Sequence, residues 1–227
     1  MADSMTSEPS GRYDLLLALI MAAAAVCTAW AGFESTKWSG TQANSYAEAS
    51  AARIEADKSS TRAGQERLAD VVTFTQWLSA LNEEIIANPS ARPGEDYRPP
   101  EGTISAFIYQ RFRPEFRPAM DAWLDSQPFV DPSAPPTPFV LPEYVIAADE
   151  DAARLEAQAD GFAKEARDAN QLADNYVLTA VLFALVLFFA AVGDRARGRR
   201  AQLLLFIFAA VGLLVTVAVL ATFPVEF

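Results

Sequence analysis

The chain contains no histidine and only one cysteine, Cys27, in 227 residues. Those absences exclude Cys/His metal centres, Ser-His-Asp and Cys-His catalysis, and any intrachain disulfide. No phosphate-binding loop, G-x-S-x-G or metalloprotease signature occurs either. Net positive charge is missing as well: the formal charge is −11 and the pI is about 4.5. A chain that acidic does not suit nucleic acid, and no cofactor is expected. The reading is therefore not an enzyme.

Hydrophobic residues are nevertheless 52% of the chain. High charge and high apolar content fit a chain divided between lipid and water. Three stretches carry no Asp, Glu, Lys or Arg: Leu15 to Phe33, Tyr176 to Val192, and Leu203 to Phe223. A spanning helix needs roughly 20 apolar residues, within a range of about 17–25. We expect three transmembrane helices, at 15–33, 176–192 and 203–223. Ala29-Trp30-Ala31 resembles a signal-peptide cleavage site, which would release residues 1–31. The leader opposes this, because Asp3, Glu8 and Asp14 outweigh Arg12 where a signal peptide should be positive.

The loop 193–202 holds Arg195, Arg197, Arg199 and Arg200 against Asp194 alone. Short arginine-rich loops stay in the cytoplasm. These four arginines set the expected topology. The tail 1–14 is inside, residues 34–175 and the tail 224–227 are outside, and the protein is multi-pass. Residues 34–175 contain 24 acidic and 13 basic side chains, so this segment alone accounts for the net charge.

The outer segment reads as all-α. Between Phe33 and Pro89 there is no proline, and Asn88-Pro89 is a stop signal. We expect a long helical arm at 34–88, broken near Gly40 or Gly64, then a small proline-rich helical cap at 89–143. A return arm at 144–175 runs into the second span. TISAFIYQRF and RPAMDAWLDSQ suit two short helices, and Phe129, Val130, Phe139, Val140 and Leu141 are available to pack the proline-rich stretch. Leu155, Ala159, Phe162, Ala166, Ala169, Ala173 and Tyr176 form a heptad seam on the return arm. Gly40, Ala43, Ala47, Ser50 and Ile54 are spaced 3-4-3-4 on the outgoing arm, and we expect them to face that seam. Further out, Leu68, Val71, Val72, Trp77, Leu78, Leu81 and Ile85 are expected on one side. Together these give an antiparallel helical stalk carrying the cap.

Candidate sites are few. Arg111, Arg113 and Arg117 lie around Glu115, a possible clamp for an anion. The blander alternative is a salt-bridge network within the cap. Glu34, Lys37 and Gln42 lie just beyond the first span, and in an oligomer they would ring a pore mouth or line an interface. Trp30, Glu34, Trp38, Gln42 and Tyr46 follow an i, i+4 ridge. Glu83-Glu84 and Asp149-Glu150-Asp151 lack calcium-loop spacing, so no metal is expected.

W-x(7)-W-S-G-x-Q-A at Trp30 to Ala43, RFRPEFRPAMDAW at Arg111 to Trp123 and PFVLPEY at Pro138 to Tyr144 form a set. With them the chain resembles a group of uncharacterised bacterial inner-membrane proteins with one N-terminal span, a helical outer segment and a C-terminal two-span hairpin. The resemblance implies that architecture and setting, with the lipid bilayer as partner. It supplies no site residue. The expected role is an assembly or interaction subunit of the cell envelope, meeting copies of itself or another envelope protein. An oligomeric ion channel selective at its outer mouth, and a sensor of an anionic ligand at the arginines, are the alternatives.

Overall fold

The computed structural model describes residues 10–196 and 198–226, with side chains from Leu15 onward. Arg197, the side chain of Arg12 and the acidic leader before Ser10 lie outside the described residues. Among those described there is no strand. Five α-helices follow in order: α1 (Ser10–Ala87), α2 (Ile104–Tyr109), α3 (Arg117–Asp125), α4 (Ala147–Asp194) and α5 (Arg199–Leu220). Three of them, α1, α4 and α5, contain stretches long and apolar enough to cross a membrane. α1 runs through Gly40 and Gly64 without the expected break. One glycine costs a helix only about 1 kcal/mol, which its many helix-forming neighbours outweigh. Asn88 ends α1 as expected, and its side chain then accepts from the Ser90 N–H to start a single 3-10 turn.

The chain divides into two compact units, Met1–Ser50 with Asp160–Phe227, and Ala51–Ala159. In the first unit, Leu17, Ala24, Phe183, Val186, Ala190 and Ala209 form one apolar cluster drawn from α1, α4 and α5. Small residues let the helices approach closely: a Cβ built on Gly212 would stand 3.1 Å from Val186 Cγ2. The polar groups of these stretches satisfy themselves. Thr28 donates to the Ala24 carbonyl at 2.7 Å, Thr179 to Asn175 at 2.9 Å and Thr216 to Gly212 at 2.8 Å. Leu19, Val26, Leu178, Val181, Phe208 and Leu214 point outward, as lipid-facing side chains do.

The second unit is built on aromatic packing. Phe74, Trp77 and Leu81 of α1 meet Phe112, Phe116, Met120, Trp123 and Leu124 from α3 and the turn before it. Phe139 and Leu141 pack on this cluster, Phe129 reaches Trp77, Tyr97 and Trp123, and Val130 and Val140 stay exposed. α2 is fixed at its start twice. Thr103 caps the Ala106 N–H, and the Glu84 carboxylate accepts from both the N–H and the hydroxyl of Ser105 at 2.8 Å. α3 begins with Pro118 in its first turn, where the missing N–H is no loss.

Burial along the helices corrects two expectations. The return-arm seam stands, with Ala159, Ala166, Ala169, Ala173 and Tyr176 buried. On α1, however, Gly40, Ala43, Ala47, Ser50 and Ile54 are all exposed. Between residues 31 and 63 the buried positions are Ala31, Glu34, Ser45, Ala49, Ala52, Ala56 and Ala63. Ala47 sits two residues from both Ser45 and Ala49, which at 3.6 residues per turn puts it about 200° around the helix. The same offset separates exposed Leu68 from buried Asp70, and exposed Val72 from both Asp70 and buried Phe74; Val71 is exposed as well.

Overpacking therefore belongs at Ala49 and Ala166, not at Ala47. In mild detergent, Ala49→Leu and Ala166→Leu should each lower unfolding stability by about 1–3 kcal/mol. Ala47→Leu should stay within about 0.5 kcal/mol of the wild type.

Candidate functional site

Two polar constellations stand out, one in each unit. The first lies just past the apolar stretch of α1. Glu34 has 0% exposure, although it is a carboxylate. Its Oε2 accepts from the backbone N–H of Glu226 at 3.0 Å, and its Oε1 is buried with no hydrogen-bond partner. The segment after α5 is held at two further points. Tyr176 donates to the Pro224 carbonyl at 2.8 Å, and the Thr41 hydroxyl donates to Glu226 Oε1 at 3.2 Å. Tyr176 and Phe223 meet edge to face at 5.4 Å. Trp38 Nε1 is also buried without a partner.

Lys37 and Gln42 are half-buried on α1. Lys37 lines a cleft of about 380 Å³ together with Phe33, Thr36, Thr41, Asn44 and Glu226. Glu34 does not line it. The i, i+4 ridge from Trp30 to Tyr46 is not one face. Each step of four turns the helix about 40° beyond a full revolution. Trp30 and Tyr46 are consequently exposed while Glu34 is enclosed.

In the second unit the three arginines go separate ways. Arg113 points inward, and its Nε and Nη2 donate to Asp70 Oδ1 and Oδ2, both at 2.9 Å. Glu66 at 3.1 Å and Glu115 at 3.3 Å complete its surroundings. Asp70 is fully buried, and Tyr144 adds a third donor to its Oδ2 at 3.1 Å. A buried carboxylate needs this set of partners, because removing them would leave an uncompensated charge in a low dielectric. Hydrogen bonding to Asp70 holds the Arg113 guanidinium above its ordinary range. Burial first, then the Asp70 charge, pushes the Tyr144 phenol up to about 12.

Arg111 and Arg117 are exposed and occupied locally. The Arg111 guanidinium lies 3.3 Å from the Phe107 ring centroid and bonds the Phe107 carbonyl, while Arg117 bonds the Gln110 carbonyl. The acidic pairs have structural partners: Glu84 caps α2, and Asp149 meets Arg67 at 2.5 Å. Arg195, just after α4, and Arg199 and Arg200, in the first turn of α5, are exposed.

Asp70, Tyr144 and Glu226 were not singled out from the sequence. Asp70 had a usable signal, since Ala63, Asp70 and Trp77 are seven apart and an acid at a core interval asks for a partner. Glu226 had none, because 192 residues separate it from Glu34.

Two predictions follow from these partners. Arg113→Met should destabilise the second unit by roughly 3–5 kcal/mol, read from chemical unfolding, because it strands Asp70. Alkali supplies the other. The Tyr144 phenol ionises near 10.0 when unfolded and near 12 when folded. Between those values the folded state holds the extra proton, so stability is complete below pH 10 and declines toward pH 12. Tyr109, also raised to about 12 by burial and by its bond to Asp121, acts in the same direction. Tyr109→Phe/Tyr144→Phe should flatten that alkaline decline, followed by circular dichroism against tyrosinate absorbance. No known protein family, no curated protein and no solved structure matches this chain, so the reading of both constellations rests on their chemistry.

Proposed function

We propose that this chain is a non-enzymatic assembly or interaction subunit of a bacterial inner membrane. In this reading the tail before α1 and the arginine loop are cytoplasmic. Residues 34–175 form an extracytoplasmic helical domain, a stalk with a proline-rich cap. Arg195 on the short α4–α5 connection and Arg199 and Arg200 at the start of α5, all exposed, support that orientation. The exposed aromatic pair Trp30 and Phe33, 6.0 Å apart, supports an interface at the other end of the first span.

The observation that carries the assembly role is an apolar row on α1 within the second unit. Ile54, Thr61 and Leu68 are seven residues apart and all exposed, Ile54 at 53% and Leu68 at 64%. Val71 and Val72, also exposed, occupy the next half-heptad position. Ile54, Thr61 and their neighbours Asp57, Lys58, Arg62 and Gln65 line a surface groove of about 380 Å³. Apolar side chains at heptad spacing on an open helix face are what a second helix packs against. That helix would come from another copy or another envelope protein.

The channel alternative loses its leading residue, since a Glu34 enclosed by its own chain presents no charge to a permeating ion. Lys37 and Gln42 are left to it. The anion-sensor alternative has Arg113 already committed to three carboxylates.

Cross-linking and light scattering in mild detergent should show an oligomer, or a captured envelope partner. Ile54→Glu/Leu68→Glu should dissociate it while unfolding stability changes by no more than about 0.5 kcal/mol per site, as befits exposed positions. A wild-type protein that is strictly monomeric and captures no partner would end this reading.

A further inference from the structure

The cleft beside Lys37 has a composition that the assembly role does not use. It lies where two apolar helices end: Phe33 closes the uncharged stretch of α1, and Glu226 follows α5 by six residues. It holds one cation and one anion. The Lys37 ammonium has no ion-pair partner among the described residues. Glu226 is half-buried and held in place, with its N–H on Glu34 and one carboxylate oxygen on Thr41. Thr41, which holds the Glu226 carboxylate at 3.2 Å, is one helical turn from Lys37, so both charged side chains line the same cleft. Thr36 and Asn44 add neutral hydrogen-bonding groups, and Phe33, 55% exposed, adds an apolar edge on the side of the span.

We propose that this cleft binds the headgroup of a phospholipid carrying a primary ammonium, such as phosphatidylethanolamine. Lys37, with Asn44, holds the phosphate, and Glu226 holds the ammonium through charge-assisted hydrogen bonds. Phe33 lies against the glycerol and the upper acyl chains. A small cleft lined by one cation and one anion suits a headgroup that carries both a phosphate and an ammonium on a two-carbon link. A wholly anionic lipid would place its phosphate well but meet Glu226 unfavourably. A quaternary ammonium would keep the charge but lose every N–H donor that a carboxylate can accept. The buried Glu34 is the positioning residue: by accepting the Glu226 N–H it fixes where that carboxylate stands.

Native mass spectrometry of the full chain, released from bilayers of equal phosphatidylethanolamine, phosphatidylcholine and phosphatidylglycerol, reads the retained lipid. Phosphatidylethanolamine should be retained about tenfold over each of the others, the loss expected for one charge-assisted hydrogen bond. Glu226→Gln should remove its preference over phosphatidylcholine, and Lys37→Gln should lower retention of all three. Because a variant can fail to fold, the wild type is also loaded with the mono- and dimethylated ethanolamine lipids. Retention should fall at each methyl added. Equal retention across the methyl series, a preference for phosphatidylglycerol, or a preference untouched in folded Glu226→Gln would each overturn the assignment.

Discussion

A seven-residue interval on α1 decides which of its side chains are enclosed, and the rest of the structure follows from it. Leu17, Ala24, Ala31, Ser45 and Ala52 are multiples of seven apart and buried, and Trp38 between them is half-buried. A second row, Ala49, Ala56, Ala63, Asp70 and Trp77, obeys the same interval and is buried throughout. Alanine at most of these places permits close backbone approach but contributes little apolar area, near 25 cal/mol per Å². Packing of that kind is specific in geometry and modest in energy. The aromatic cluster around Trp77, Phe116 and Trp123 supplies the larger area in the second unit.

Where an acid stands in the buried surface, its surroundings are rearranged to meet it. Asp70 occupies an interval otherwise filled by Ala63 and Trp77, and it draws in Arg113 and Tyr144 from distant parts of the second unit. That contact ties the turn before α3 and the approach to α4 to one point on α1. Glu34 is met less completely, by a single backbone N–H. An enclosed carboxylate with one bare oxygen costs more than it returns in fold stability. Its one hydrogen bond holds Glu226 beside α1, while Tyr176 holds Pro224.

Much of this was legible in the sequence because it depends on local rules. Uncharged runs marked the apolar helices, Asn88-Pro89 marked the end of α1, and the Leu155 to Tyr176 stripe marked the buried face of α4. The face of α1 was misread because two stripes at the same spacing coexist on it. Gly40, Ala43, Ala47 and Ser50 are as regular as the buried row, and spacing cannot say which of two regular rows finds a partner. Arg113 illustrates the other limit. Its neighbours Arg111 and Arg117 suggested a cluster, but the partner that orients it, Asp70, lies 43 residues away.

The exposed row on α1 has to be reconciled with the net charge of −11 that residues 34–175 carry. Like-charged domains repel, and at physiological salt that repulsion reaches only about 8 Å. What matters for a helix laid along Ile54, Thr61 and Leu68 is therefore the charge within that distance. Residues 53–67 carry Arg53, Lys58, Arg62 and Arg67 against Glu55, Asp57 and Glu66, and Asp149 sits 2.5 Å from Arg67, so this stretch is close to neutral within a strongly acidic segment. Lys58 already meets Glu55 at 2.7 Å and Arg62 meets Glu66 at 2.8 Å. The acidic excess lies elsewhere, where it keeps the remaining surface soluble and apart. The distribution of charge thus leaves one apolar row on α1 open to a partner without electrostatic opposition.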